Sequence, residues 1–334
     1  MDVHALGWVA LAAIVIALIT VDIVGHVRTP HAPTMKEAAT WTAAYVTLAV
    51  SFGFLVWGIW GLRYAGEYWA GWITEWSLSL DNLFVFVIII AAFRVPREHQ
   101  QKVLLSGIII ALVLRLIFIL IGAAIIERFS AVFYLFGAWL LYTAYTQIRE
   151  GKEEEGIDDD SADYREPKFV SFVRKVFPVT DGFIGDKLLH RHGGKTYLTP
   201  LLLVILALGS ADLMFAFDSI PAIFGLTREP FLVFAANAFA LLGLRQLYFL
   251  IDGLLSRLVY LHYGLAAILA FIGVKLVLHA MHENNLPFIN GGQPLPVPDI
   301  GIPASLAFIV ITLVVTVVAS VWASKRAHRG EVEA

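Results

Sequence analysis

Within the stretch EWSLSLDNLFVF, Glu75, Ser79 and Asn82 follow one another at intervals of four and three residues. That spacing places them on one face of an α-helix. Asp81 precedes Asn82 by one position and is turned from that face by about 100°. A second stretch, DLMFAFDS, sets Asp212 and Asp218 the same six residues apart as Glu75 and Asp81, with Ser219 in the place of Asn82. Asp212 and Ser219 again share a face. Carboxylate, amide and hydroxyl oxygens suit hard dications such as Mg2+, Ca2+ or Mn2+, whereas sulfur suits softer metals. Met214 is the one sulfur in these stretches, and His262, His279 and His282 fall in a different segment, so a zinc or copper centre is not expected. Several carboxylates would neutralise a dication, which a neutral substrate does not require. Glu75, Asp81, Asn82, Asp212, Asp218 and Ser219 are therefore the candidate metal ligands. Arg115 and Arg245 are the candidate counter-charges, able to hold the acids when no cation is bound; a purely structural set of salt bridges is the alternative.

The surroundings of these acids are hydrocarbon-like. Hydrophobic residues make up 59% of the 334, and charged residues 15%, against roughly 25% in soluble domains. Mean hydropathy is +0.76. A charge at the centre of a bilayer costs at least about 2.5–3.5 kcal/mol, so acids kept there need a use. Nine segments read as membrane-spanning helices: 6–24, 41–61, 70–93, 103–126, 131–148, 199–224, 231–252, 260–281 and 303–323. The expected fold is thus an all-α polytopic transmembrane bundle. The first apolar run lacks a basic leader and a small-residue cleavage motif, and reads as a span instead of a signal peptide. Cysteine is absent, which excludes disulfides, thiolate metal sites and a cysteine nucleophile. No nucleophile and base pair lies at a plausible spacing, so an enzyme is not expected, nor is a resident cofactor or a nucleic-acid partner.

Lys and Arg placement orients the chain. With the N-terminus outside, Arg28, Lys36, Arg94, Arg97, Lys102, Arg257, Lys325, Arg326 and Arg329 fall inside, together with the long loop 149–198, leaving Arg63, Arg128 and Arg228 outside. N-out and C-in is the expected topology. Trp41, Trp69, Trp72, Trp139 and Trp322 lie near span ends, where indoles favour headgroups. Asp22 and Asp252 read as interfacial, Lys275 as snorkelling, and His279 and His282 as lining an outer mouth. The acidic run within KEEEGIDDDSADYREP reads as a solvated linker.

The two acidic stretches belong to a longer correspondence. FRVPRE (93–98) is answered by FGLTRE (224–229), and GIIIALVLR, ending at Arg115, by NAFALLGLR, ending at Arg245, with Gly107 and Asn237 at matching places. The units are three spans each, so the second copy is reversed in the membrane. Inverted repeats of this kind mark secondary transporters with sites near the midplane. The chain then divides into a two-helix segment (1–61), a first three-helix unit (70–148), a loop (149–198), a second, inverted unit (199–281), and a last helix with its tail (303–334). One regular helix would not aim Asp81 and Asp218 at the same point as their neighbours. A local unwinding next to Pro221 would do so.

EWSLSLDNLFVF, DLMFAFDSIPAIFGLT and NAFALLGLRQLYFL, in this order, resemble the TerC family of integral membrane proteins, including its Alx-type members, over residues 1–323. The resemblance implies a bacterial inner-membrane protein, tellurium resistance as in some members, and manganese export or homeostasis as in Alx-type ones. It carries over Glu75, Asp81, Asn82, Asp212, Asp218 and Ser219. Many members place Glu three residues before the Asp of the second motif, where this chain has Gly209. The leading expectation is export of Mn2+ by alternating access, the lipid bilayer and a divalent ion being the partners. The alternative is a membrane scaffold for a stress-response complex, docking through 149–198.

Overall fold

A chain in lipid must satisfy its backbone polar groups internally, which long apolar runs achieve as helices. The computed structural model describes residues 1, 3–27, 34–129, 131–154, 168–180, 182–192, 195–251, 260–284, 286, 289–298 and 300–332. Arg28, Asp252, Arg257, most of the acidic run, and the side chains of Asp81, Lys325, Arg326 and Arg329 lie outside what it describes. Ten α-helices follow in order: α1 (Ala5–Asp22), α2 (Met35–Trp60), α3 (Leu62–Ala92), α4 (Arg97–Arg128), α5 (Val132–Glu154), α6 (Lys168–Val176), α7 (Pro200–Phe224), α8 (Pro230–Ile251), α9 (Leu261–His282) and α10 (Ile302–Val332). A short antiparallel hairpin, β1 (Leu189–His192) with β2 (Lys195–Leu198), precedes α7.

Local chemistry sets the boundaries. Thr34 caps α2, its hydroxyl accepting the Glu37 N–H at 3.3 Å, the arrangement that satisfies an orphan donor of the first turn. The chain reverses between α2 and α3 at Gly61, whose φ of +96° only glycine adopts without strain. Pro200 begins α7 where its missing N–H costs nothing.

Eight of these helices are long and apolar enough to cross a membrane. The fifth of the nine expected spans forms as α5, yet it falls short of that apolarity. Its tyrosines, threonines and Gln147 dilute the run, and several of them line a cavity instead of meeting lipid. Bulky apolar side chains of α1, α2, α4 and α10, among them Val9, Phe54, Ile117 and Val314, are exposed on the outside of the bundle, as lipid-facing surface would be. Helix α8 is buried along its whole apolar span, and aromatic rings of α1, α2 and α3 close on it: Trp8 against Phe231, and Phe52 and Tyr68 against Phe239.

Contacts along the helices fix their directions. Helices α3 and α7 run antiparallel, with Gly71 against Ile223 and Glu67 hydrogen-bonded by Thr227. Helices α4 and α7 run parallel, with Gly107 against Leu208 and Gly122 against Phe224; α3 and α8 also run parallel, with Gly71 against Ala236 and Trp76 near Gly243. The turn at Gly61 shares its end of the bundle with Arg128, the 225–229 turn and Glu283. Both α3 and α7 are unbroken, and α7 continues through Pro221 to Phe224. The unwinding expected beside Asp218 is therefore absent: within four residues of a helix end, proline removes one bond to a carbonyl without stopping the last turn.

Helices α5 and α9 pack backbone to backbone. A Cβ on Gly137 would stand 2.6 Å from Val277 Cγ2 and 2.9 Å from the Gly273 carbonyl oxygen, and one on Gly273 would stand 3.1 Å from the Gly137 carbonyl. Small residues allow such approach between membrane helices. Gly137→Ala should therefore destabilise the protein by about 1–3 kcal/mol, seen as a lower melting temperature in detergent, whereas alanine at Gly58, which faces open space, should have little effect.

Candidate cation site and its ion-pair centre

Arg115, in the middle of α4 and wholly buried, is where the two acidic stretches meet. Its Nε donates to Asp212 Oδ2 at 3.0 Å and its Nη2 to Asp212 Oδ1 at 2.9 Å, the forked geometry a guanidinium offers a carboxylate. Nη1 donates to Glu75, to Ser219 Oγ at 3.1 Å and to Asn237 Oδ1 at 2.6 Å. Glu75, Asp212, Ser219 and Arg115 thus converge from α3, α7 and α4. Counted as formal charges, the one guanidinium balances only one of the two carboxylates. On α3, Glu75 Oε2, Ser79 Oγ and Asn82 Nδ2 are buried without a hydrogen-bond partner in the protein, and all three lie on the face that the sequence spacing defines. Buried polar atoms left so are costly; the two oxygens suit water or a cation, and the Asn82 amide N–H suits water.

Asp218 stands apart from that centre. Its Oδ1 accepts from Trp139 Nε1 at 2.8 Å and from Thr143 Oγ1 at 3.0 Å, both on α5. It lines a cavity of about 470 Å³ with Asn82, Ser219, Thr146, Gln147 and His262. The cavity runs from the middle of α3 and α7 toward the end of the bundle where α9 begins. Ser219 belongs to both places, lining the cavity and accepting from Arg115, so it joins Asp218 to the buried centre.

Several expectations change. Arg245 does not hold the acids of the repeat: its Nη2 donates to Asp22 Oδ1 at 2.5 Å. Asp22 is accordingly buried, at 1% exposure, at the end of α1. Lys275 is largely buried, donates to Ser305 Oγ at 3.1 Å and lines a pocket at the Gly61 end with Arg63 and Glu67. Trp72 is buried in the core, and the Trp139 indole N–H donates to Asp218. His262, set aside with the other histidines, lines the Asp218 cavity, its Nδ1 3.0 Å from Gln147 Nε2. Sequence reading did not foresee the partners of Asn237, Trp139 and Asp22, and it did not single out Thr143. Asn237 carried a signal, since it matches Gly107 in the repeat, and an arginine inside a membrane must find an acid somewhere. At position 209, a Cβ on glycine would lie 3.1 Å from Ile110 Cγ2, so the glycine lets α7 pack closely on α4. Among the described residues, no three of His, Asp and Glu converge as a ready-made metal cage.

At the Gly61 end, Arg228 donates to Glu283 Oε2 at 2.6 Å and to His279 Nε2, and lies 4.8 Å over the Phe133 ring. Burial pushes the Glu283 carboxyl up, but the Arg228 hydrogen bond and charge, with His279 and His282, outweigh it and hold it below the usual carboxylate range. A lowered folded-state pKa adds stability above the unfolded value and loses it as pH falls through the folded one. This link should therefore hold throughout neutral pH and give way only below about pH 4.5, and Arg228→Gln should remove that acid-labile part of a pH–melting curve.

Fold and site together define a polytopic helical membrane protein with a polar centre inside the bundle. The model of the integral membrane protein TerC family matches residues 60–328, and the chain belongs to that family. An uncharacterized membrane protein of Mycobacterium tuberculosis is 48% identical over 326 residues, 97% of this chain and 81% of that one. Alx of Escherichia coli K12, named as a proposed membrane-bound redox modulator, is 37% identical over 282 residues, 81% of this chain and 85% of its own. A Myxococcus xanthus membrane protein, also uncharacterized, is 37% identical over 271 residues, 81% of this chain and 83% of that one. No solved structure matches the chain significantly.

Proposed function

We propose that this protein is a secondary transporter of the bacterial plasma membrane that exports a divalent cation, Mn2+ before others, by alternating access. The observation that carries the proposal is the cavity: it leads from one end of the bundle to Asp218, Asn82 and Ser219 inside the membrane span, next to a centre one positive charge short. Asp218 would receive the cation, with amide and hydroxyl oxygens of Asn82 and Ser219, and Asp81 one residue from Asn82. Glu75 and Asp212 would join once Arg115 turns away, since it now holds both. Oxygen donors with one nearby imidazole favour Mn2+ over softer metals. The opposed directions of α3 and α7, and the parallel pairs α3–α8 and α4–α7, support an inverted repeat, because exchanging the two units maps one pair onto the other. With the N-terminus outside, the cavity would lie in the cytoplasmic half, where an exporter loads its cargo.

A redox role carried by the chain's own thiols is excluded by the absence of cysteine. The deciding experiment is cation flux in proteoliposomes with Mn2+, Mg2+ and Ca2+ under an imposed pH gradient. Mn2+ flux above that of protein-free vesicles is expected; no flux of any of the three would overturn the proposal.

A further inference from the structure

Two open spaces lie along one seam of the bundle. The cavity at Asp218 is lined by α3 between Leu78 and Ile88, by α7 between Phe215 and Ser219, and by α9 between His262 and Leu269, with α5 beside them. A second space, of about 460 Å³, opens at the Gly61 end. Arg63 and Glu67 of α3, Phe224 of α7 with the turn that follows it, and Lys275 of α9 line it. Helices α3, α7 and α9 thus carry both.

What separates them is short and apolar. From Ser219 to Phe224 along α7, and from Leu269 to Lys275 along α9, is about 7–9 Å at 1.5 Å per residue. Ile220, Ile223 and Ile272 occupy that interval and are buried. A Cβ on Gly71 of α3 would stand 3.2 Å from Ile223 Cγ2, and one on Gly225 would stand 2.7 Å from Ile272 Cγ2. On the cavity side of this layer, Ser219 and Glu75 meet on Arg115. On the far side, Thr227 donates to Glu67 Oε2 at 2.6 Å and fastens α3 to the turn after α7. An apolar constriction sheds water, and an ion stripped of water does not cross it. The two spaces also differ in charge. The cavity has the Asp218 carboxylate and, among the described residues that line it, no Lys or Arg. At the Gly61 end, Arg63, Arg228 and Lys275 stand against Glu67 and Glu229, with Glu283 holding Arg228 from beside them. The carboxylates there do not outnumber the bases, so that space offers a cation no net attraction.

We infer that the space at the Gly61 end is the release vestibule of the cation path, and that Ile220, Ile223 and Ile272, against Gly71, form its closed gate, latched by Thr227 on Glu67. This rests on the cation reading of Asp218 and adds the exit and the seam that must part. A cation loaded at Asp218 leaves between α3 and α7, once the Thr227–Glu67 bond and the Gly71–Ile223 contact open. It enters surroundings that do not retain it, which favours discharge over return.

A disulfide across the seam tests this, since the chain has no cysteine of its own. The Cβ atoms of a disulfide lie about 3.8 Å apart, a separation that positions 71 and 223 suit, and cysteine at 223 removes the methyl that a Cβ at 71 would crowd. Oxidised Gly71→Cys/Ile223→Cys should bind MnCl2 in calorimetry with the wild-type Kd. Its Mn2+ flux should fall to the level of protein-free vesicles and return on reduction. Ile223→Cys alone keeps the test decisive if the pair fails to bond or fold. It should resist a cationic thiol reagent in metal-free proteoliposomes and react with it during Mn2+ transport. Flux through bonded protein, or no reaction at Ile223→Cys while the protein transports, overturns the gate and leaves the cation reading standing. Absence of Mn2+ binding and flux in the wild type overturns both.

Discussion

Replacing Arg115 by Gln is expected to cost about 3–5 kcal/mol, because it leaves Glu75 and Asp212 buried together without their shared guanidinium. In detergent this should appear as a fall in melting temperature on the order of 10 °C, with reduced yield. Lysine should not restore it: an ammonium is a point charge and cannot reproduce the fork on Asp212 while reaching Glu75, Ser219 and Asn237. The triple variant Arg115→Met, Glu75→Gln, Asp212→Asn removes the charges together and should be more stable than Arg115→Gln alone, since the larger part of the loss is the penalty of unpaired buried charge. A melting temperature for Arg115→Gln within about 2 °C of wild type would show that the centre does not hold the bundle together.

Asp218→Asn should have the contrasting profile. Its carboxylate is half-buried beside a cavity, held by two neutral donors, and an amide of the same shape can still accept from Trp139 and Thr143. Stability should change little. Mn2+ flux in proteoliposomes should fall at least about 10- to 100-fold, the scale on which even residues behind the direct ligands of a metal act, and cells relying on the variant should lose manganese tolerance. Unchanged flux and tolerance would remove Asp218 from the cation path. The two variants separate the roles that the structure separates in space, since one carboxylate pair is fastened to an arginine and the other acid looks into the cavity.

Much of this was legible in the residues. Apolar runs of membrane length, ended by glycine, proline and capping threonine, dictate helices because lipid offers the backbone no other partner. The i, i+4, i+7 spacing of Glu75, Ser79 and Asn82 dictates a common polar face, and each of the three has an atom buried and unpartnered there. The recurrence of acid, acid and arginine in both halves placed Arg115 near Glu75 and Asp212. The unequal division of the arginines was not legible. Sequence symmetry treats Arg115 and Arg245 alike, yet Arg115 takes both acids and Arg245 takes Asp22 from a helix outside the repeat. Partner choice depends on which helix lies within reach of a side chain, and no spacing along one chain encodes that.

The long apolar helices, the membrane setting and the polar faces thus follow from local composition and period, which act within a few turns of one helix. The tertiary structure alone decided that Asp218 answers to Trp139 and Thr143, that His262 shares its cavity, and that Gly209 packs on Ile110. Each is a contact between residues far apart in the chain, set by helix packing.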